Sequence, residues 1–338
     1  MYKKKWITGF GILILVFLGG CLKDGGQGGG GSGDEVYEVI MTHELPESFF
    51  KHDYMEQFKE EAEEKSDGRL DIKIHPAAQL YDDGEAMQNL GTGSVHIVWP
   101  VSVHLEDIAD EYGLVNLPFS ITDEDVLENE NYRQDLTNLL DSFVEDKGVK
   151  VFGLMRTSEG IILSNEEMKE MEDLSGMKIR SVGGHVAEDL LGAFDASATS
   201  LPSTEITTSL SQGVIDGVNT SPDGWNDIVG STAEYGLVVP QMQVLTYSMI
   251  ADRDWFDELP DDLQEIIEET HEEMITEQWE ESIDIDEEEI EEAEEDYGTV
   301  YRVPEKEVDG WKKQTEEVYD LFEKDNPGVL EEFEEIKP

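Results

Sequence analysis

The sequence predicts an α/β fold, because short apolar stretches of strand length alternate with longer amphipathic stretches of helical spacing. In the first half, strand-like residues 36–41, 70–74 and 95–99 surround the helical stretch 48–65, in which apolar residues recur every four positions. A further helix at 138–144 and a strand at 149–154 follow. This order predicts a mainly parallel sheet covered by helices.

A second unit of the same kind begins near Thr157. Its predicted elements are strands at 177–180 and 213–218, helices at 185–194 and 204–211, and a β-rich stretch at 238–250 that Pro240 interrupts. The length of the chain is sufficient for two domains.

A long acidic helix is predicted from about residue 260 to residue 297. One face carries Leu263, Ile267, Met274 and Trp279, and the opposite face is almost entirely Asp and Glu. A strand at 299–303 and a helix at 306–324 complete the prediction.

The first 21 residues have the composition of an export signal. Three lysines precede the uncharged run 6–18, which is too short to span a bilayer, and small residues lead to Cys21. This ending resembles a lipoprotein signal-peptidase site, which implies lipid attachment at Cys21; a retained anchor or an unmodified thiol is the alternative. Residues 22–35, rich in glycine, are expected to form a flexible tether.

The net charge is extreme: 80 acidic against 23 basic residues give a formal charge of −57. Self-repulsion of this size destabilises a compact chain, and molar salt screens it. The acidic residues are spread along the whole body, which favours a salt-adapted surface over an acidic tail. The absence of a basic patch argues against nucleic acid as a partner, and the regular apolar patterns argue against a disordered chain.

Several segments, taken in order, resemble the DctP-type substrate-binding proteins of TRAP (tripartite ATP-independent periplasmic) transporters. The matching segments are Thr42-His43, the stretch from Glu63 to Leu80, Leu90–Gly93, Leu117-Pro118-Phe119, Asp173–Arg180, Leu210–Gly217 and Trp255–Gln264. Each motif is weak alone, but the ordered set spans nearly the whole body.

The resemblance implies a two-lobed, periplasmic-binding-protein-like α/β fold with a ligand cleft between the lobes and a long helix that bridges them. We expect residues 36–156 and 246–285 to form lobe I, and residues 157–245 and 286–338 to form lobe II. The implied activity is capture of a small organic acid by hinge closure and delivery to the membrane permease of a TRAP transporter.

Arg180 is the principal candidate for ligand binding. It follows a short strand and precedes the small turn at residues 183–184. A planar guanidinium offers two parallel N–H donors to a carboxylate, and in the family that this chain resembles the arginine of this motif binds the ligand carboxylate. A solvated surface charge is the alternative.

Other candidate ligand-binding residues have equally plausible structural roles. Asn219 and Thr220 follow a strand and could form a plain turn; His43 could be a structural polar residue, and Trp99 a core aromatic. Trp225 could face the cleft or the hinge. Many relatives carry a second arginine near the position of Gly160. Here either Arg156 replaces it or the ligand meets one arginine. A single arginine puts a dicarboxylate or a sialic-acid-like ligand in doubt and leaves monocarboxylates, such as keto or hydroxy acids, open.

Enzyme chemistry finds no support in the sequence. Histidines lack metal-ligand spacing, and neither a nucleophile elbow nor a phosphate-binding loop is present. We therefore expect no catalytic activity, cofactor or metal site, with a calcium or sodium ion that bridges a carboxylate-bearing ligand as the alternative. The remaining alternatives of the same architecture are an ABC-type binding protein and a protein that feeds a sensor kinase.

Overall fold

Two β-sheets, each covered by helices, organise the body of the protein. The computed structural model describes residues 35–201 and 203–338, so the predicted signal, the lipid attachment at Cys21 and most of the glycine-rich tether lie outside the described residues. The sheets confirm the two-lobed α/β fold class that the sequence predicts.

The first sheet has five strands in the order β2-β1-β3-β10-β4. Their bounds are β1 Tyr37–Thr42, β2 Leu70–His75, β3 Ile97–Val98, β4 Val149–Glu159 and β10 Val244–Asp252. Strands β1, β2 and β3 are parallel to one another. Strand β10 is antiparallel to both β3 and β4.

The second sheet has six strands in the order β11-β9-β5-β8-β6-β7. Their bounds are β5 Ile161–Ser164, β6 Lys178–Ser181, β7 Ser197–Ser200, β8 Gly217–Thr220, β9 Tyr235–Val238 and β11 Thr299–Arg302. Strands β6, β7 and β8 are parallel, whereas β5 runs antiparallel to β8 and β9.

The expectation of a mainly parallel sheet is wrong for the strands where the chain passes between the sheets. Strand β4 ends at Glu159 in the first sheet and β5 begins at Ile161 in the second, with only Gly160 between them. Strands β9 and β10 make the return passage. A chain that leaves one sheet and returns close by must place the two passages antiparallel.

Twelve α-helices lie within the described residues. They are α1 Phe50–Lys65, α2 Asp83–Asn89, α3 Asp123–Glu128, α4 Glu130–Val144, α5 His185–Ala193, α6 Ile206–Ser211, α7 Pro222–Gly224, α8 Arg253–Glu258, α9 Asp261–Asp296, α10 Glu305–Gln314, α11 Glu316–Asp325 and α12 Val329–Ile336. The predicted helix 306–324 is in fact two helices that meet at Thr315. None of the helices in the described part of the chain has the length and apolarity that a membrane span requires.

Helix α9 bridges the lobes, as the sequence predicts. Near its start, Leu263 and Ile267 pack with residues of the first sheet and of α1. Near its end, Ile290 and Ala293 pack with residues of the second sheet and of α6. One continuous helix of 36 residues therefore belongs to the hydrophobic cores of both lobes.

Arg156 lies at the end of the first sheet in a buried network of charges. Its Nε donates to Asp123 at 2.8 Å and its Nη1 donates to Asp286 of α9 at 2.6 Å. Only 2 % of its side chain is exposed. Burial raises the pKa of Asp286 to about 7, although the Arg156 guanidinium opposes this shift. The network fastens α9 to the strand that leads into the second lobe.

His271 of α9 is buried without a hydrogen-bond partner. Neither ring nitrogen is paired within the described residues, and the ring packs so closely on Gly153 that a Cβ there would lie 2.6 Å from its Cε1. Burial lowers the pKa of His271 to about 4. The folded protein therefore holds this imidazole in its neutral form.

We expect His271 to make folding sensitive to acid. As the pH falls from the ordinary histidine pKa of 6.5 to about 4, the unfolded chain binds a proton at His271 that the folded chain does not. Stability is therefore lost across this window, by roughly 3 kcal/mol. Urea unfolding of the wild type and of His271→Leu in molar NaCl, at pH 7 and pH 4, measures the effect.

Between pH 7 and pH 4, the wild type should lose roughly 3 kcal/mol more unfolding free energy than His271→Leu. His104→Leu, at a half-buried site, is the matched control. A constant difference between the His271 variant and the wild type at both pH values would contradict the assignment.

Candidate functional site

The carboxyl ends of parallel strands form one edge in each sheet. In the second sheet, β6, β7 and β8 end there, and this edge carries Arg180, Ser181 and Asn219. In the first sheet, β1, β2 and β3 end at such an edge, which carries Thr42, with His43 and Glu44 directly after it. Ligands of open α/β sheets bind outside the carboxyl ends of strands, so both edges are candidates for a shared site.

The two edges lie close enough to interact electrostatically. The Glu44 carboxylate, from the first lobe, stabilises the cation of Arg180 in the second. Tyr247 of β10, also in the first lobe, is influenced by the charges of both Glu44 and Asp223, and Asp223 lies in the second lobe directly after β8. The gap between the lobes at these side chains is the candidate site.

Arg180 differs from the other arginines of the chain. The other five each form an ion pair with an acidic side chain. Arg180 forms none with any described carboxylate, and its one hydrogen bond within the described residues runs from Nε to the Leu201 carbonyl at 2.9 Å. Since Nη1 and Nη2 make no such bond, both nitrogens remain for a ligand.

Burial dominates the electrostatics of Arg180. The residue is 5 % exposed, and desolvation lowers the pKa of its guanidinium to about 10, while the Glu44 carboxylate acts in the opposite direction. The side chain therefore remains a cation at neutral pH. A buried cation without a counter-ion is costly, and an anionic ligand would remove that cost.

Polar atoms beside Arg180 are also unpaired. Asn219 lies on β8, one position beyond the residue that pairs with Arg180. Its Nδ2 donates to Gln243 at 3.0 Å, and its Oδ1 is buried with no partner in the part of the chain that the structure describes. The buried hydroxyl of Ser181 likewise has no partner among the described residues. Thr220 is half-buried and packs against Gly224.

His43 and Trp99 lie at the edge of the first sheet. His43 is fully buried, with its Nε2 3.1 Å from His52 Nδ1 and its own Nδ1 unpaired among the described residues. Burial lowers its pKa to about 3, so the ring is neutral. Trp99 is 1 % exposed and packs edge-on against Phe58, as a core aromatic does. Its Nε1 has no partner within the described chain.

Arg156 and Trp225 contact other parts of the protein in ways that stabilise the fold. The Arg156 guanidinium is already neutralised by two carboxylates. Trp225 is fully buried, its Nε1 donates to the Ala233 carbonyl at 3.2 Å, and its ring packs against Tyr297. The Trp225 indole N–H is used, and the Arg156 guanidinium is already paired with two carboxylates, so we assign a structural role to both side chains.

Three residues at the gap were not found by sequence reasoning. Lys51 of α1 is buried, lies 3.4 Å from Asp83, and sits 4.4 Å from the centre of the Tyr247 ring. Asp83 and Tyr247 are 32 and 196 positions from Lys51 in the sequence. The three residues lie on separate elements, α1, α2 and β10, so no spacing along the chain predicts that they are neighbours.

Comparison with known families assigns the chain. The family described as bacterial extracellular solute-binding protein, family 7 (DctP) matches residues 41–325. The C4-dicarboxylate-binding periplasmic protein DctP of Rhodobacter capsulatus is 24 % identical over 209 residues, and that match covers 62 % of each chain. The C4-dicarboxylate-binding protein DctB of Bacillus subtilis is 25 % identical over 293 residues, or 84 % of this chain and 81 % of the relative.

Solved structures share the fold. A TRAP periplasmic solute-binding protein of Sulfurospirillum deleyianum, crystallised with bound succinate, superposes with a TM-score of 0.73. It is 21 % identical, and the match covers 90 % of this chain and all of that one. Because the family profile spans most of the body and the lobes have this architecture, the chain belongs to the DctP-type substrate-binding proteins of TRAP transporters, family 7 of the bacterial extracellular solute-binding proteins.

Proposed function

We propose that this protein captures a small organic acid in the gap between its lobes and delivers it to the membrane subunits of a TRAP transporter. The observation that carries the proposal is Arg180, the arginine without a carboxylate partner in the described part of the chain. Its free N–H donors fit a ligand carboxylate in the two-pronged geometry that guanidinium groups favour.

Closure of the lobes around the ligand is the proposed mechanism. Arg180 and Asn219 belong to the second lobe, whereas His43 and Trp99 belong to the first, so a ligand contacts both sets only when the lobes are together. Gln243 sits at the crossing: its carbonyl accepts from the Gly160 N–H at 2.8 Å, and its side chain accepts from Asn219. The ligand site is thus connected to the strands that pass between the lobes.

The surface charge sets the conditions in which this capture would work. A formal charge of −57 repels an approaching anion at low ionic strength. Molar salt shortens the screening length to about 3 Å, which leaves the local donors around Arg180 to provide the attraction. We infer a protein adapted to high salt.

We propose that a lipid on Cys21 attaches the protein to the membrane. The sequence around Cys21 supports export followed by anchoring to the outer face of the cytoplasmic membrane. The same architecture would serve an ABC-type or sensor-kinase system, and neighbouring genes for a small and a large TRAP membrane subunit would distinguish the proposed partner from these alternatives.

Arg180→Ala should abolish most ligand binding. Two charge-assisted hydrogen bonds would be lost, which corresponds to about 2–4 kcal/mol, or roughly 30- to 1000-fold in affinity. Calorimetry against a panel of organic acids in molar NaCl measures this. Arg69→Ala removes the same charge from an exposed pair with Asp262 and should bind normally. Unchanged affinity in the Arg180 variant would refute the assignment of the site.

Raising NaCl from 0.1 M to 1 M should stabilise the folded protein. Screening reduces repulsion among the acidic side chains, and a gain of a few kcal/mol corresponds to roughly 5–10 °C in Tm. Calorimetric melting at each salt concentration tests this. Sucrose at matched osmolality controls for general exclusion of solutes, and an equal rise in sucrose would argue against screening as the cause.

Cys21→Ser should release the protein from the membrane. The thiol is the proposed site of the lipid, so its loss removes the anchor while the body still folds. Fractionation of cells that express the full chain, with incorporation of labelled palmitate, provides the measurement. Lys23→Ser, two positions further on, is the matched control. A serine variant that still sediments with membranes would contradict lipid attachment at this residue.

A further inference from the structure

The first turn of helix α5 meets a carboxylate that comes from the other lobe. Helix α5 belongs to the second lobe, because it connects β6 to β7 and packs in the same hydrophobic cluster as β6. Its N-cap, Gly184, has no side chain that could accept from the first N–H groups of the helix. Glu106 accepts in its place. This glutamate lies in a 3-10 helix, Ser102–Asp107, which follows β3 in the first lobe.

The contacts of Glu106 use both of its carboxylate oxygens. Oε2 lies 2.9 Å from Nδ1 of His185 and accepts from the Val186 backbone N–H at 3.4 Å. Oε1 accepts from Nδ2 of Asn116 at 2.7 Å. Glu106 is only 4 % exposed. Since negative charge stabilises the N-terminus of a helix, a buried carboxylate of the first lobe caps a helix of the second.

Glu106 is fixed to the first sheet. The hydroxyl of Ser102, in the same 3-10 helix, lies 2.7 Å from the hydroxyl of Thr246 and 2.8 Å from that of Ser248, both on β10. The Tyr112 hydroxyl, four residues before Asn116, donates to the same Ser248 at 2.8 Å. The carboxylate and the amide that supports it therefore belong to the first lobe, whereas α5 belongs to the second.

Gly184 allows the two lobes to touch at this point. A Cβ on this residue would collide with Cγ2 of Val103 and would lie 2.9 Å from Oε2 of Glu106. Its φ of +82° is in the left-handed region, which glycine adopts without strain. Gly184 is four positions after Arg180, in the turn that follows β6. The contact therefore lies directly beside the strand end that carries the proposed ligand-binding arginine.

We propose that Glu106 and Asn116 of the first lobe and residues 184–186 of the second form a clasp, which closes when the lobes come together around the ligand and positions Arg180 against the first lobe. The inference rests on the proposed function, since it assumes that the lobes close on an acid bound by Arg180. A ligand and a clasp that both join the lobes favour the same closed arrangement, so each strengthens the other. Loss of the clasp should therefore speed release of the ligand and leave its association almost unchanged.

Glu106→Gln tests the charge of the clasp. Glutamine keeps the shape of the side chain and one acceptor oxygen, but it loses the charge-assisted contacts, so the release rate constant should rise about tenfold. Stopped-flow tryptophan fluorescence in molar NaCl measures association and release of the tightest binder among pyruvate, lactate, succinate and glucuronate. Glu63→Gln is the matched control. The Glu63 carboxylate accepts from the Ile72 N–H at 2.8 Å within the first lobe, and this variant should keep the wild-type rates.

Gly184→Ala tests the close approach of the lobes. The added methyl group would stand between Val103 and the backbone of the second lobe, so release should again be faster than in the wild type. Gly176→Ala is the matched control, because its φ of +80° imposes the same backbone strain while a Cβ there meets no atom within 4 Å. Equal acceleration of release in both variants would refute the clasp, since backbone strain would then be the cause.

Thermal melting distinguishes a clasp from a permanent structural contact. If the contact forms only around the ligand, Glu106→Gln should leave the Tm of the ligand-free protein unchanged and lower the Tm at a fixed, saturating concentration of the acid. A permanent contact would lower both values equally and leave the release rate as in the wild type. That result would overturn the proposal.

The outcomes separate the clasp from the proposed function. If Arg180→Ala abolishes binding while Glu106→Gln or Gly184→Ala releases the acid at the wild-type rate, the clasp is refuted and the organic-acid site stands. If Arg180→Ala leaves binding intact, or none of the four acids binds, the proposed function fails and the clasp fails with it.

Discussion

The buried Arg180 guanidinium, which has no carboxylate partner among the described residues, is the constraint on which the proposed site depends. In a chain with 80 acidic residues, Arg180 forms no ion pair with any carboxylate of the described residues. Its strand, β6, lies between the parallel strands β7 and β8, and the Leu201 carbonyl accepts from Nε alone. An unpaired buried charge is costly, and in the proposed function an anionic ligand would remove that cost.

The strands that pass between the lobes contact residues of the proposed binding site. Strand β4, Gly160 and β5 form one passage between the lobes, and Gln243 lies on the other, in contact with both Gly160 and Asn219. The Arg156 network fixes the start of this passage to α9, which packs in both cores. In the proposed mechanism, a change in the angle between the lobes would act directly on the residues around Arg180. The ion pairs of Arg156 stabilise the connection between β4 and α9. The polar groups of Arg180 and Asn219 that have unpaired atoms lie at the proposed site.

The acidic residues divide into an exposed set and a set with lower exposure to solvent. Acidic side chains on the outer face of α9 are exposed to salt, where screening limits their repulsion. Asp83 is buried and Asp223 is half-buried, so screening affects these two carboxylates less than those of the outer surface.

The sequence by itself determined the α/β class and the bounds of the long helix, because the hydrophobic period is a local signal. The ordered motifs also made Arg180 the principal candidate for ligand binding. The antiparallel crossing strands, the division of the last predicted helix at Thr315, and the partners of Arg156 and Trp225 were decided by tertiary structure. The grouping of Lys51, Asp83 and Tyr247 also depends on contacts between distant segments. Which charges are neutralised is a property of such contacts, and no pattern along the chain encodes it.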